Sequence, residues 1–315
     1  MELENSSESS GDHDESFIKI TEERKARFSA GLSPDEAPRW ALASVITSIR
    51  DAILASTPPD VTDRISRNVA FGTLNTGDPV AFITKSRDDK VAIVIGESFM
   101  VLLHKCEKLT TAALDPGQVI YCNRKAPETL TRHELIEYKL ELIENQHTHG
   151  APRGVMIQLS DRAMEFTSRQ LHLVETLVVC HEVGHLLNGD LDDDQSFSLI
   201  NGRGWMRKYE ENKDHRREYR ADETGFNLAI KAVGAKTLAE KKMLLLAAIG
   251  LFDHMYLLVG GASSSHPDPL DRAVHLTLRV FGKKAARAVQ QSYRDGRKLL
   301  ALFSGLSRAN RRWSR

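Results

Sequence analysis

Residues 177–190 read LVVCHEVGHLLNGD and place two histidines, His181 and His185, four residues apart. On a helix that spacing projects both imidazoles from one face, one turn above the other. Two ring nitrogens so placed can reach one metal ion, at about 2.0–2.1 Å if the ion is zinc. Glu182 follows the first histidine and can face a water on that ion without ligating it. HExxH therefore holds two ligands and a general base in five residues. The competing reading is a buried helix whose polar side chains only find hydrogen-bond partners. Among Leu173, Val174, Leu177, Val178, Val179, Val183, Leu186 and Leu187, two histidines and a glutamate are costly to bury without a shared partner. That cost favours the metal. Gly184, at the fourth motif position, loses about 1 kcal/mol of helix propensity against alanine, which a close backbone neighbour or a substrate would explain.

A catalytic zinc takes three protein ligands and leaves its fourth position to water. The extended pattern HExxHxxGxxH fails, because Asn188 stands at the glycine position and Leu191 at the last histidine position. Asp190, five residues beyond His185, is one candidate, but a continued helix turns it away from the histidine face. Glu218 is the better one. In EYRAD, residues 218–222, Glu218 and Asp222 are again four apart on an expected helix and point the same way. Glu218 can complete the zinc site while Asp222 accepts a hydrogen bond from the far nitrogen of a ligating histidine, fixing its tautomer. Taken alone the pair would read as a solvated charged face; beside HExxH it reads as ligand and support.

The rest of the chain must supply the elements that hold these residues. Its 315 residues, 41% hydrophobic and 27% charged, are near the soluble globular average and suffice for one large domain or two ordinary ones. Residues 1–16 carry six acids and no lysine or arginine, the composition of a disordered acidic tail. Residues 17–126 read as a small α/β region without a catalytic motif. There Ser33-Pro34-Asp35-Glu36 opens a helix over 33–54, and β-like runs fill 68–84 around a Thr76-Gly77-Asp78 turn. A strand over 91–95, a helix over 97–109 and a strand over 119–121 follow. Residues 127–282 read as the catalytic domain, beginning with a helix over 129–143. His147 and His149 then fall in an exposed loop. A strand over 154–160 comes next, where Met156 and Gln158 are the expected substrate-binding residues, since an extended peptide can add to a strand edge. The polar connection through Asp192, Asp193, Asp194 and the 201–204 loop reads as a lid or as surface filler. Helices from 214, over 236–259 and over 271–281 complete this part, and 283–315 forms a basic helical extension. The fold class is α+β, mainly helical.

Cys106, Cys122 and Cys180 are odd in number and widely spaced, so no disulfide framework follows and a reducing compartment is expected. The N-terminus lacks the basic and apolar regions of a secretory signal. Residues 243–262 are nearly long enough to span a bilayer, but Asp253 and His254 sit at their middle, where ionisable groups are expensive unless they face protein or water. The expectation is a buried helix, no transmembrane segment and a cytoplasmic protein. Net charge is zero, yet ten basic residues and one acid lie from Lys283 onward. The two ends can neutralise each other or meet different partners. The basic end, with Arg308, Arg311, Arg312, Trp313 and Arg315, suits an acidic partner; specific nucleic-acid recognition is not expected, since no recognition fold accompanies it.

HEVGH followed by EYRAD resembles the gluzincin metallopeptidases of the CAAX-prenyl-protease type. In that family HExxH gives two ligands, and ExxxD, often ending in Ala-Asp, gives the third. Ser265-His266-Pro267, with Arg272 six residues after the histidine, looks like the His-Pro…Arg element that follows the ligand helix there. The three motifs cover about residues 170–280. The resemblance implies a zincin-like catalytic domain that cleaves a protein or peptide substrate. Zinc would sit on His181, His185 and Glu218, with Glu182 carrying a proton from water to the leaving amine. It also ranks His266 first as oxyanion donor, ahead of Tyr219, Tyr256 and Arg272. Locally, His266-Pro267-Asp268 also reads as the start of the next helix, and Arg272 as the partner of a buried acid such as Asp222. The relatives are usually membrane-embedded or secreted, features that this sequence does not display, and the resemblance does not extend to its front half. Two alternatives therefore stand: a soluble HExxH peptidase of the phage-defence or repressor-cleaving type, or a non-catalytic nucleic-acid or partner-binding protein on the same scaffold. The intact Glu182 speaks against the second.

Overall fold

The run VAIVIG becomes a strand buried at all six positions, as a strand covered on both faces must be. The computed structural model describes residues 39–74, 77, 79–86, 90–191, 197–198, 213–259, 262–263 and 266–313. The acidic tail, the Ser33 helix start, the 201–204 loop and Ser265 lie outside the described residues. In chain order the elements are α1 (Arg39–Ser56), α2 (Pro59–Asn68), β1 (Val69–Leu74), β2 (Ala81–Lys85), β3 (Val91–Gly96), α3 (Glu97–Leu114) and β4 (Val119–Cys122). Then come α4 (Arg132–His149), β5 (Ile157–Leu159), α5 (Asp161–Leu187), β6 (Phe197–Ser198), α6 (Lys213–Ala232), α7 (Leu238–Val259) and α8 (Pro269–Trp313). The fold is α+β and mainly helical.

The larger sheet has the order β1-β3-β2-β6. β3 runs parallel to β1, with Val91 opposite Val69, and antiparallel to β2, with Ile95 opposite Ala81. β1 and β2 are therefore not sheet neighbours; the doubly buried β3 lies between them. β6 pairs with β2 at the edge. A separate two-stranded sheet joins β4 to β5.

α5 carries HExxH. Ser160 caps its start by accepting from the Ala163 N–H, and every residue from 174 to 186 is buried. An all-round buried helix is a core helix, and this one packs on β2, β3, α3, α6 and α7. The main core runs from Ile46 to Leu276 as one cluster, so the boundary expected at 126/127 does not divide two cores. α4 extends to His149 and stops at Gly150 (φ 67°). His147 and His149 thus lie exposed on its last turn rather than in a loop.

α7 is long and apolar enough to cross a membrane, yet half of that stretch is buried within the protein. Its two central ionisable groups face protein. His254 Nε2 is 3.2 Å from Glu107 Oε1 of α3, and Asp253 lies close to Tyr293 of α8. α8 is broken at Gly282 (φ 79°, ψ 179°), a conformation essentially confined to glycine. The basic extension begins at the next residue.

Candidate metal centre

The site is made by α5 and α6, and two glycines set how closely they cross. A Cβ on Gly184 would stand 2.7 Å from the Ala221 carbonyl oxygen. One on Gly225 would stand 2.8 Å from the backbone of Cys180 and His181. Neither space holds a methyl group. The close backbone neighbour that Gly184 called for is Ala221, inside the EYRAD turn itself.

At this separation Glu218 reaches both histidines. His181 Nε2 and His185 Nε2 are 3.2 Å apart. The Glu218 carboxylate lies 3.5 Å from the first through Oε2 and 3.4 Å from the second through Oε1. A tetrahedral ion with bonds of about 2.0–2.1 Å sets its ligands about 3.3 Å apart. The three side chains are buried, with their donor atoms within 4.8 Å of one another: this His-His-Glu group can hold a metal ion.

Each histidine has a carboxylate behind it. His181 Nδ1 is 3.0 Å from Asp222 Oδ1, as expected. His185 Nδ1 is 3.0 Å from Asp190 Oδ2. The expectation that Asp190 turns away from the histidine face is corrected here, because the helix does not continue. Gly189 adopts φ 72°, its N–H reaches the Leu186 carbonyl, and the Asp190 N–H reaches the His185 carbonyl. This is the Schellman ending of a helix, and it folds Asp190 back onto His185. Asp190 is a support for His185 that the spacing alone hid; Asn-Gly after the periodic run was the available signal.

Arg272, fully buried on α8, meets Asp222 with two hydrogen bonds, from Nε at 2.8 Å and from Nη2 at 2.6 Å. Its Nη1 lies 3.2 Å from Glu218 Oε2, and its guanidinium sits 5.1 Å from the centre of the Phe252 ring. Burial pushes Glu218 and Asp222 toward neutrality, but His266 and Arg272 around Glu218, and Arg272 and His181 around Asp222, hold both below the usual carboxylate range. For the histidines burial alone would lower the pKa. Asp222 and Glu218 raise that of His181, and Asp190 and Glu218 raise that of His185 to about 10.

Glu182 differs from its neighbours. It is 0% exposed, and neither carboxylate oxygen has a hydrogen-bond partner among the described residues. Burial pushes it up to about 7, against the pull of the two histidines. An orphaned buried carboxylate beside three converging donors is what a cation with a water on it would satisfy. His266 also arrives here, its Nε2 3.6 Å from Glu218 Oε1. Ser263, whose N–H reaches the His266 carbonyl, is tied to α6, because His215 Nε2 donates to the Ser263 carbonyl at 2.9 Å. His215 was not anticipated, since nothing in the spacing joins residues 215 and 263. Compared with protein-family models, with curated proteins and with solved structures, the chain matches none.

Met156 and Gln158 lie away from the His-His-Glu group. The strand β5 lies at the N-terminal end of α5, and twenty residues of helix separate Asp161 from His181, a span of about 30 Å. Exposed as they are, with Met156 at 53%, they are far from the donor set. The strands that lie along α5 are β2 and β3. Tyr219 packs against His275, ring centres 4.5 Å apart and ring planes tilted by 38°.

Proposed function

We propose that this chain is a zinc-dependent endopeptidase of gluzincin type on a zincin-like scaffold. The observation that carries this reading is the convergence of His181, His185 and Glu218 beside an unpaired, buried Glu182. A His₂Glu set is a donor combination of catalytic zinc in metallopeptidases. When bound, the ion supplies Lewis acidity that brings the pKa of a water toward neutrality. Glu182 would serve as the general base, accepting a proton from the attacking water and passing it to the leaving amine. Asp222 and Asp190 hold Nδ1 of the two histidines and so present Nε2 inward. His266 donates to the developing oxyanion, a role in which losing one donor costs about 2.7–4 kcal/mol. Arg272 keeps Glu218 and Asp222 ionised and in place.

The test pairs metal analysis of the purified chain with a proteome-wide cleavage assay of the wild type and Glu182→Gln. Both proteins should retain one zinc, while cleavage by the variant falls by about 10²–10⁴-fold. Unchanged turnover ends the general-base role, and a purified chain that takes up no divalent metal ends the hydrolase reading.

A further inference from the structure

The two histidines are supported unequally. Behind His181, Asp222 is gripped by Arg272, and all three are buried. Behind His185, Asp190 is equally buried, but the cation that meets it at 2.7 Å is Arg220, whose side chain is 58% exposed. Arg217, buried on the same helix, stands further off at 3.9 Å. Arg220 is the central residue of EYRAD, so one turn of α6 serves both imidazoles. Glu218 faces both Nε2 atoms, Asp222 takes Nδ1 of His181, and Arg220 reaches across to the carboxylate that takes Nδ1 of His185.

The segment between the helices is built to make that reach possible. Gly189 supplies the positive φ, and Thr224 Oγ1 lies 3.0 Å from Asn188 Oδ1, tying the cap to α6. Removing either partner would leave a buried charge or an unheld ring, and such support typically changes metal affinity by about 10–100-fold.

We infer that Asp190 and Arg220 are positioning residues for His185, and that the exposed Arg220 is the solvent-side latch of the metal centre. The inference rests on the metal-site reading. Neither residue touches the ion; Asp190 fixes the Nδ1–H tautomer and ring angle of His185, and Arg220 fixes Asp190. Because the latch is exposed, salt screens it, whereas the Arg272–Asp222 pair is out of reach of solvent ions.

The experiment measures zinc affinity of the full-length chain by competition with a chromogenic chelator, at low and high salt, alongside ring-nitrogen NMR of the zinc-loaded protein. Asp190→Asn should weaken zinc by about 10–100-fold and shift the His185 Nδ1–H signal while leaving that of His181 in place. Arg220→Gln should weaken it by about threefold or more at low salt, the difference narrowing at high salt. If wild type binds zinc and both variants match it within about twofold, well below the effect of lost ligand support, with the His185 signal unmoved, the latch is wrong and the metal site stands. If wild type binds no zinc, both readings fall. Should Asp190→Asn not fold, Arg220→Gln decides, and an unchanged affinity in it overturns the proposal.

Discussion

The two acids behind the histidine rings are not available to replace Glu218. Asp190 is committed to His185 Nδ1 and Arg220, and Asp222 to His181 Nδ1 and Arg272. Glu218→Ala should therefore lower zinc affinity by more than the about 100-fold that outer supports can cost, read by chelator competition; retained stoichiometric zinc would exclude Glu218 as a ligand. Arg272 answers to a different measurement. Arg272→Met leaves the Asp222 and Glu218 carboxylates without their buried cation, a loss that costs about 3–5 kcal/mol when one partner of a buried pair is removed. Denaturant unfolding of the metal-free chain should show that drop, and added zinc should recover part of it, because the ion replaces some of the missing positive charge.

The pairing of α5 with α6 is what converts two unremarkable helices into one donor set, and it depends on absent side chains. Gly225 faces the backbone at His181, and Gly184 faces that at Ala221. Gly225→Ala adds a methyl group where backbone atoms stand 2.8 Å away, so the helices must part. Overpacking of this kind costs about 1–3 kcal/mol, and here it also withdraws Glu218 from both rings. Zinc affinity should fall more steeply than stability. A variant that loses stability yet binds zinc as wild type does would show that the crossing is not what sets the ligand distances. The same alanine on Gly234, which has nothing within 4 Å of its added Cβ but a φ of 66°, should cost stability through backbone strain alone and leave zinc binding intact.

Among the described residues, the main core joins the front sheet to the helical part, so a buried ionisable group within it affects global stability. Glu175 lies on α5 above the motif, and burial alone raises its pKa from 4.5 to about 7. A carboxyl whose folded pKa is raised binds its proton more tightly when folded. Stability is then highest below the unfolded value and falls as pH rises through the folded one, by about 3 kcal/mol over that window. Glu175→Gln should flatten this slope between about pH 4.5 and 7, measured as unfolding free energy at several pH values; a slope identical to wild type would mean that Glu175 is solvated in the folded protein.

Local chemistry was legible in the residues themselves. His181, Glu182 and His185 share a five-residue window, and Glu218 and Asp222 share another, so helical periodicity alone aligns each set. The long apolar helices and the doubly buried VAIVIG strand follow from patterning in the same way. What periodicity cannot carry is distance across the fold. Asp190 needed the Schellman turn at Gly189 to come back to His185, and His215 needed a turn forty-eight residues away. Met156 and Gln158 looked adjacent to the motif along the chain, but a rigid helix of about 1.5 Å per residue carried the motif away from them. The contact between two helices, set by where glycine leaves room, is the step that no reading of either helix separately contains.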